Sequence, residues 1–153
     1  MSAAPDLAAR VQVLEDIEAI RRLKARYFHA IDRKRWDELA ACFCADAVWE
    51  SGKRKVRIDG RQAIVGFIQG IEDGEHIVNT HQGHDPEINV TGATATGLWE
   101  LFHYREDRQR RLAQRSAAFY EDRYTKDGEG WRIRHCRIVP IYFNESAMPS
   151  QES

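Results

Sequence analysis

Three side chains that could move a proton recur among residues that otherwise look like core. Tyr27 and Asp32 close a long apolar-striped segment, and His81-Gln82-Gly83-His84 follows some fifty residues later. A phenol, a carboxylate and an imidazole are the usual parts for shifting a proton beside a carbonyl. Asp32 is awkward as a purely structural residue, because an anion in the last turn of a helix opposes the macrodipole by ~0.3–1 kcal/mol. Arg33, Lys34 and Arg35 would offset that cost, and an exposed carboxylate paired with one of them is the competing reading. On a continuous helix Tyr27 and Asp32 would diverge by about 140°, so a shared site calls for the helix to loosen before Asp32.

Strand alternation puts His81 on one face with residues 79 and 77, and His84 on the other face or in a loop. A histidine bonded to backbone, or a metal set of His76, His81, His84 and Asp85, would be alternatives to catalysis. The spacing matches no helical HExxH, zinc-ribbon or facial-triad pattern, so no metal is expected. Trp99, Leu101 and His103 share one strand face, which makes His103 a further polar candidate; both faces of that strand carry apolar residues, so alternation leaves its side open. Trp49, Phe67, Trp99, Leu101, Phe119 and Tyr142 are the expected pocket wall.

The elements that must hold these groups come in two blocks. Apolar residues at Leu7, Val11, Leu14, Ile17, Ile20, Leu23, Tyr27, Phe28 and Ile31 predict a helix with one buried stripe, fraying near its start and ending at 32–35. Trp36, Leu39 and Phe43 predict a second short helix, followed by a strand over 47–50. Asp59 and Gln62 resemble a capping box, which opens a third helix carrying Ile64, Phe67, Ile68 and Ile71. Strands follow over 76–82, 86–90, 94–104, 112–125 and 131–143, and residues 144–153 read as a polar, mobile tail. Helices first and an antiparallel meander after predict an α+β domain, its helices on the concave face of a strongly curved sheet. Residues 1–14 read as a helical extension and 15–143 as the domain.

Composition narrows the function classes. A chain of 153 residues, 42% hydrophobic and 31% charged, is one globular domain with a real core. Its 23 basic and 24 acidic residues nearly cancel, so no overall field recruits nucleic acid or a membrane surface. The runs Lys53-Arg54-Lys55 and Arg108 to Arg111 read as solvated turns. No leader-like N-terminus or membrane-length apolar run is evident, and the three cysteines, an odd count, fit free thiols in a soluble cytoplasmic protein. Nucleotide loops, a serine-hydrolase elbow and paired CxxC motifs do not occur, so no cofactor is expected. Both faces of the 94–104 strand are apolar, which predicts self-association through the sheet.

The run Asp16 to Ile20, Lys24-Ala25-Arg26-Tyr27-Phe28, then Asp32 and Trp36 to Leu39, is similar to the opening of SnoaL-like proteins of the NTF2-like superfamily. The similarity continues in His81 to Ile88, Ala95 to Gly97 with Trp99, and Ala118 to Tyr120 with Tyr124, covering about residues 15–143. Within the family it is nearest the bile acid 7α-dehydratases. The resemblance implies a cone-like α+β barrel with a deep pocket, most often a trimer, with a dimer second. It implies catalytic roles for Tyr27, Asp32 and His81, with Asp32 and His81 as an Asp–His dyad of the kind a related dehydrochlorinase has. His103 stands where those dehydratases carry a further aspartate, and Pro140 where they carry an arginine; both departures point away from a bile acid. The implied activity is a cofactor-free dehydratase-type elimination on a hydrophobic polycyclic or aromatic oxygenated molecule. A ketosteroid-type isomerase, a polyketide cyclase or a non-enzymatic binding module would use the same pocket.

Overall fold

The computed structural model describes residues 6–149. Helix α1 runs unbroken over Leu7–Asp32, capped by Asp6, whose Oδ1 accepts the Ala9 N–H at 2.8 Å. Its buried stripe is Ile20, Leu23, Tyr27, Phe28 and Ile31, joined by Asp16 and Lys24. The first two turns depart from expectation: the helix does not fray, and Leu7, Val11 and Leu14 face solvent. Helix α2 (Trp36–Ala41) is short, and Phe43 belongs to strand β1 (Phe43–Ser51) instead of the helix.

A strand not expected from the pattern, β2 (Val56–Asp59), pairs with β1 and places Asp59 opposite Val48. Asp59 therefore does not cap helix α3 (Arg61–Glu72). Its carboxylate is held by Arg57, and Gly60, at φ 94°, is the N-cap. That left-handed φ is where glycine is preferred.

The remaining strands are β3 (Ile77–Thr91), β4 (Thr94–Asp107), β5 (Leu112–Asp127) and β6 (Gly130–Ala147). The two segments expected at 76–82 and 86–90 are one strand with a bulge between His84 and Glu87. Pro86 has no N–H to give the ladder, and Asp85 takes up the irregularity at φ 50°. Residues 144–147 are not tail. They extend β6 and pair with Leu112 to Arg115. The part of the expected tail after residue 149 lies outside the described residues, as does the N-terminal segment before Asp6.

The six strands lie in the order β2-β1-β6-β5-β4-β3, antiparallel except for the β1–β6 pair. Strands β1 and β3 are four places apart, which in a flat sheet would separate them by about 19 Å. Trp49 of β1 and His81 of β3 nevertheless line one cavity, so the sheet is strongly curved around it. α1 and α3 contribute the other wall. The core under the cavity is Tyr27, Phe28, Phe43, Leu39, Ile64, Tyr120, Tyr124 and Ile133, all buried. Cys42 and Cys136 are free thiols within it. No described helix is long and apolar enough to cross a membrane.

Beneath the cavity lies a fully buried ion pair. Lys24 Nζ meets Asp122 Oδ2 at 2.7 Å, and Tyr124 donates to the same oxygen at 2.8 Å. Lys24 also sits 3.6 Å from the Tyr120 ring centroid, where the π-face attracts a cation.

Gly83 marks the closest approach of helix to sheet. A Cβ there would stand closer than 3.0 Å to the Phe28 ring, the ring that stacks on His81 at 5.7 Å between centroids. Gly83→Ala should cost ~1–3 kcal/mol through overpacking. Gly66→Ala, in the exposed middle of α3 with open space around it, should stabilise by about 0.5–1 kcal/mol. Denaturant unfolding of the two variants checks this, and a Gly83→Ala protein as stable as the parent contradicts the packing described.

Candidate active site

β3 is an edge strand, so half of its backbone groups face away from β4 and need partners elsewhere. The end of α1 and the turn after it supply two. Asp32 Oδ2 accepts the His81 backbone N–H at 2.9 Å, and Lys34 Nζ donates to the Ile77 carbonyl at 2.7 Å. The second Asp32 oxygen lies 2.5 Å from His81 Nδ1. A carboxylate can only accept, so Nδ1 carries a proton, and in the neutral ring the lone pair of His81 is on Nε2.

The helix does not loosen to bring Tyr27 and Asp32 together. They diverge as a regular helix requires: Tyr27 lines the cavity, and Asp32 stands behind His81, outside the lining. The expected common site is thus one where Asp32 acts only through His81.

His103 pairs directly across from His81 on β4, and their rings stack 4.1 Å apart. Which side His103 takes, open from alternation, is the cavity side. Its tautomer follows from its neighbours. Asn79 Nδ2 donates to Glu72 Oε2 at 2.9 Å, which turns Asn79 Oδ1 toward His103 Nε2, also at 2.9 Å. His103 must donate from Nε2, leaving its lone pair on Nδ1. The stacked imidazoles are therefore opposite tautomers. Burial, and then the nearby His81, Lys53 and Arg105, lower the His103 pKa to about 2, so it stays neutral. Arg105 anchors the far end of this chain, donating to Glu72 Oε2 at 2.9 Å.

Tyr27 is fully buried, and its hydroxyl accepts the Trp49 indole N–H at 3.3 Å. Burial pushes the phenol well above its usual pKa, reinforced by Tyr120 and Cys136. It remains a neutral O–H, able to donate a hydrogen bond and unable to serve as a base.

The cavity holds about 100 Å³, small beside the ~300–1,000 Å³ typical of ligand pockets. Of the six expected wall residues, Trp49, Leu101 and Tyr142 line it. Phe119 does not: its neighbours Ala118 and Tyr120 point inward, so it lies on the outer face. Trp99 shares the inward face of Leu101 but sits deeper, where its indole donates to Tyr124 at 2.9 Å. Phe67 packs behind Trp49, 5.7 Å between ring centroids.

Several residues of the site escaped the sequence reading. Ile31, Ile68, Ile71 and Tyr120 add apolar wall, and Glu72, Asn79 and Arg105 form the polar chain behind His103. Lys24 carried a readable signal, a cation inside the buried stripe of α1. Lys53 and Arg54 lie in an exposed turn, as expected, and that turn also borders the cavity. The histidine cluster is split: His81 is taken by Asp32, while His84 faces solvent near Asp85 and Glu100.

Several solved structures share this fold. A candidate scytalone dehydratase from Novosphingobium aromaticivorans superposes with TM-score 0.79 at 20% identity, covering 92% of this chain and 96% of that one. The hexachlorocyclohexane dehydrochlorinase LinA-type3 from Novosphingobium barchaimii gives TM-score 0.81 at 16% identity, over 94% and 99%. An NTF2-like protein with a cystatin-like fold, also from Novosphingobium aromaticivorans, gives TM-score 0.75 at 24% identity, over 92% of each.

His103 gains a proton on unfolding at any pH between its folded value, about 2, and the ordinary 6.5. The unfolded state therefore binds more protons in that window, and stability falls as pH drops below 6.5. Replacing His103 by Gln should flatten the acid limb of the stability–pH profile, and an unchanged limb contradicts the buried neutral state. The SnoaL-like domain model matches residues 12–137, most of the described chain, and the protein belongs to that family.

Proposed function

We propose that the protein is a cofactor-independent lyase acting on a hydrophobic, oxygenated aromatic or polycyclic molecule. The observation that carries this reading is His81, its Nδ1–H held by Asp32, set in a cavity with the Tyr27 phenol and with Ile31, Ile68 and Leu101 on its wall. His81 Nε2 takes a proton from the carbon beside a carbonyl. Asp32 stabilises the imidazolium that forms and keeps the ring in place. Tyr27 donates to the carbonyl oxygen as negative charge develops there. His103 offers only its Nδ1 lone pair and accepts a substrate O–H. The C–H electron pair becomes the new double bond, the bond to a neighbouring hydroxyl breaks, and the proton on His81 leaves with that hydroxyl as water. The apolar part of the wall, Ile31, Ile68 and Leu101, lowers the local polarity and strengthens these interactions.

The family membership supports the reading, and two structures of the same fold bear names of elimination chemistry, a dehydrochlorinase and a candidate scytalone dehydratase.

Self-association belongs to the same reading. Leu98, Phe102 and Phe119, each more than a third exposed, share the outer face of the sheet. An apolar patch of this kind is covered in most soluble proteins. A trimer is the first choice and a dimer the second; light scattering that reports a 17.7 kDa particle at micromolar concentration contradicts it.

Solvent-deuterium incorporation into a panel of hydroxylated aromatic ketones and 3-keto steroids tests the chemistry without knowing the product. His81→Ala should lower turnover by ~10²–10⁴ with little change in affinity. Asp32→Asn should fall close to it, because an amide cannot support the imidazolium. Tyr27→Phe should cost less, having lost one hydrogen bond and kept the ring packing. Turnover untouched by His81→Ala overturns the assignment.

A further inference from the structure

The open end of the cavity is lined by three cations, Lys53, Arg54 and Arg105, and by one carboxylate, Glu72. That carboxylate is already engaged: its Oε2 accepts from Asn79 and from Arg105, both at 2.9 Å, and Arg54 approaches only its other oxygen, at 4.0 Å. Glu145, just outside the lining, is bonded to Gln114 at 2.6 Å. Lys53 makes no ion pair among the described residues; its ammonium rests 3.3 Å from the Phe143 ring centroid.

Resting on the reading of His81 as base, we infer that the substrate carries a carboxylate, which Lys53 and Arg54 bind at the cavity mouth while its ring system lies against Leu101, Ile68 and Ile138 beside His81. Arg105 is too committed to Glu72 and the Ile71 carbonyl to be the main partner. It contributes field, not a contact. Partial burial lowers the Lys53 pKa to about 8, and the repulsion of Arg54 and Arg105 adds to the fall, outweighing Glu72 and Glu145. The corner is thus short of negative charge in the free protein. An arriving carboxylate would relieve that repulsion and form charge-assisted hydrogen bonds with both exposed cations. The arrangement also sets polarity: an acid held at the mouth presents its other end to His81 and Tyr27.

The test uses a single-ring acid and its neutral twin, cinnamate and cinnamamide, titrated against the whole protein by NMR with the His81 and His103 ring signals as site reporters. The parent protein should bind cinnamate about tenfold more tightly than cinnamamide. The double variant Lys53→Met/Arg54→Met should reduce that preference to about twofold or less and leave cinnamamide affinity unchanged. Lys55→Met, on the same exposed turn but off the cavity wall, should keep it. His81→Ala should keep it too, since that change touches the chemistry and not the charge at the mouth. Equal binding of the two probes, a preference that survives the double variant, or cinnamate failing to perturb the histidine signals overturns the proposal. If His81→Ala abolishes deuterium exchange while the two probes bind alike, the charge proposal alone falls.

Discussion

The carboxylate of Asp32 is where the helical layer, the sheet and the candidate chemistry meet. Both its oxygens are spent on one residue, His81, one on the backbone N–H and one on the ring. The backbone contact closes part of an exposed sheet edge, which would otherwise present unpaired donors to solvent or to another chain. It also sets the registry of α1 against β3, and that registry brings Phe28 over Gly83 and onto the His81 ring. The ring contact fixes which nitrogen is basic. An anion at a helix C-terminus is disfavoured by ~0.3–1 kcal/mol, and here the two His81 donors offset it.

Charge is layered along the cavity axis. At the floor, Lys24 and Asp122 neutralise each other in full burial, and removing either partner would strand the other. In the middle, Tyr27 and His103 are held neutral by burial, each able to hydrogen-bond without carrying charge. At the mouth, cations outnumber carboxylates. A site so arranged has its hydrogen-bonding groups in place before substrate enters, and little reorganisation is left for the reaction itself.

How much of this could be read from the chain depended on whether the cause was local. The helix stripe ending at Asp32, the strand alternation of His81 with residue 79, and the helices-then-strands order are local patterns, and they made the α+β fold legible. What escaped depended on pairing. Asp59 looks like a helix cap until β2 is known, because its carboxylate is claimed by a strand neighbour, Arg57. Trp99 and Leu101 share a face, and only the sheet's curvature says which reaches the cavity. Phe119 needed the β5 parity. Lys53 and Arg54 are the solvated turn their composition predicts, and only the sheet's curvature places that turn at the pocket mouth. Pro86 hides a bulge that merges two expected strands into one.

Asp32 on one side, and Glu72 through Asn79 on the other, hold the stacked neutral imidazoles in opposite tautomers. Nitrogen-15 NMR of the histidine rings at neutral pH reads this directly. His81 should show a protonated Nδ1 and an unprotonated Nε2, and His103 the reverse, with Asp32→Asn disturbing the first pattern and Asn79→Ala the second. A His81 ring protonated at Nε2, or two rings of the same tautomer, would contradict the account.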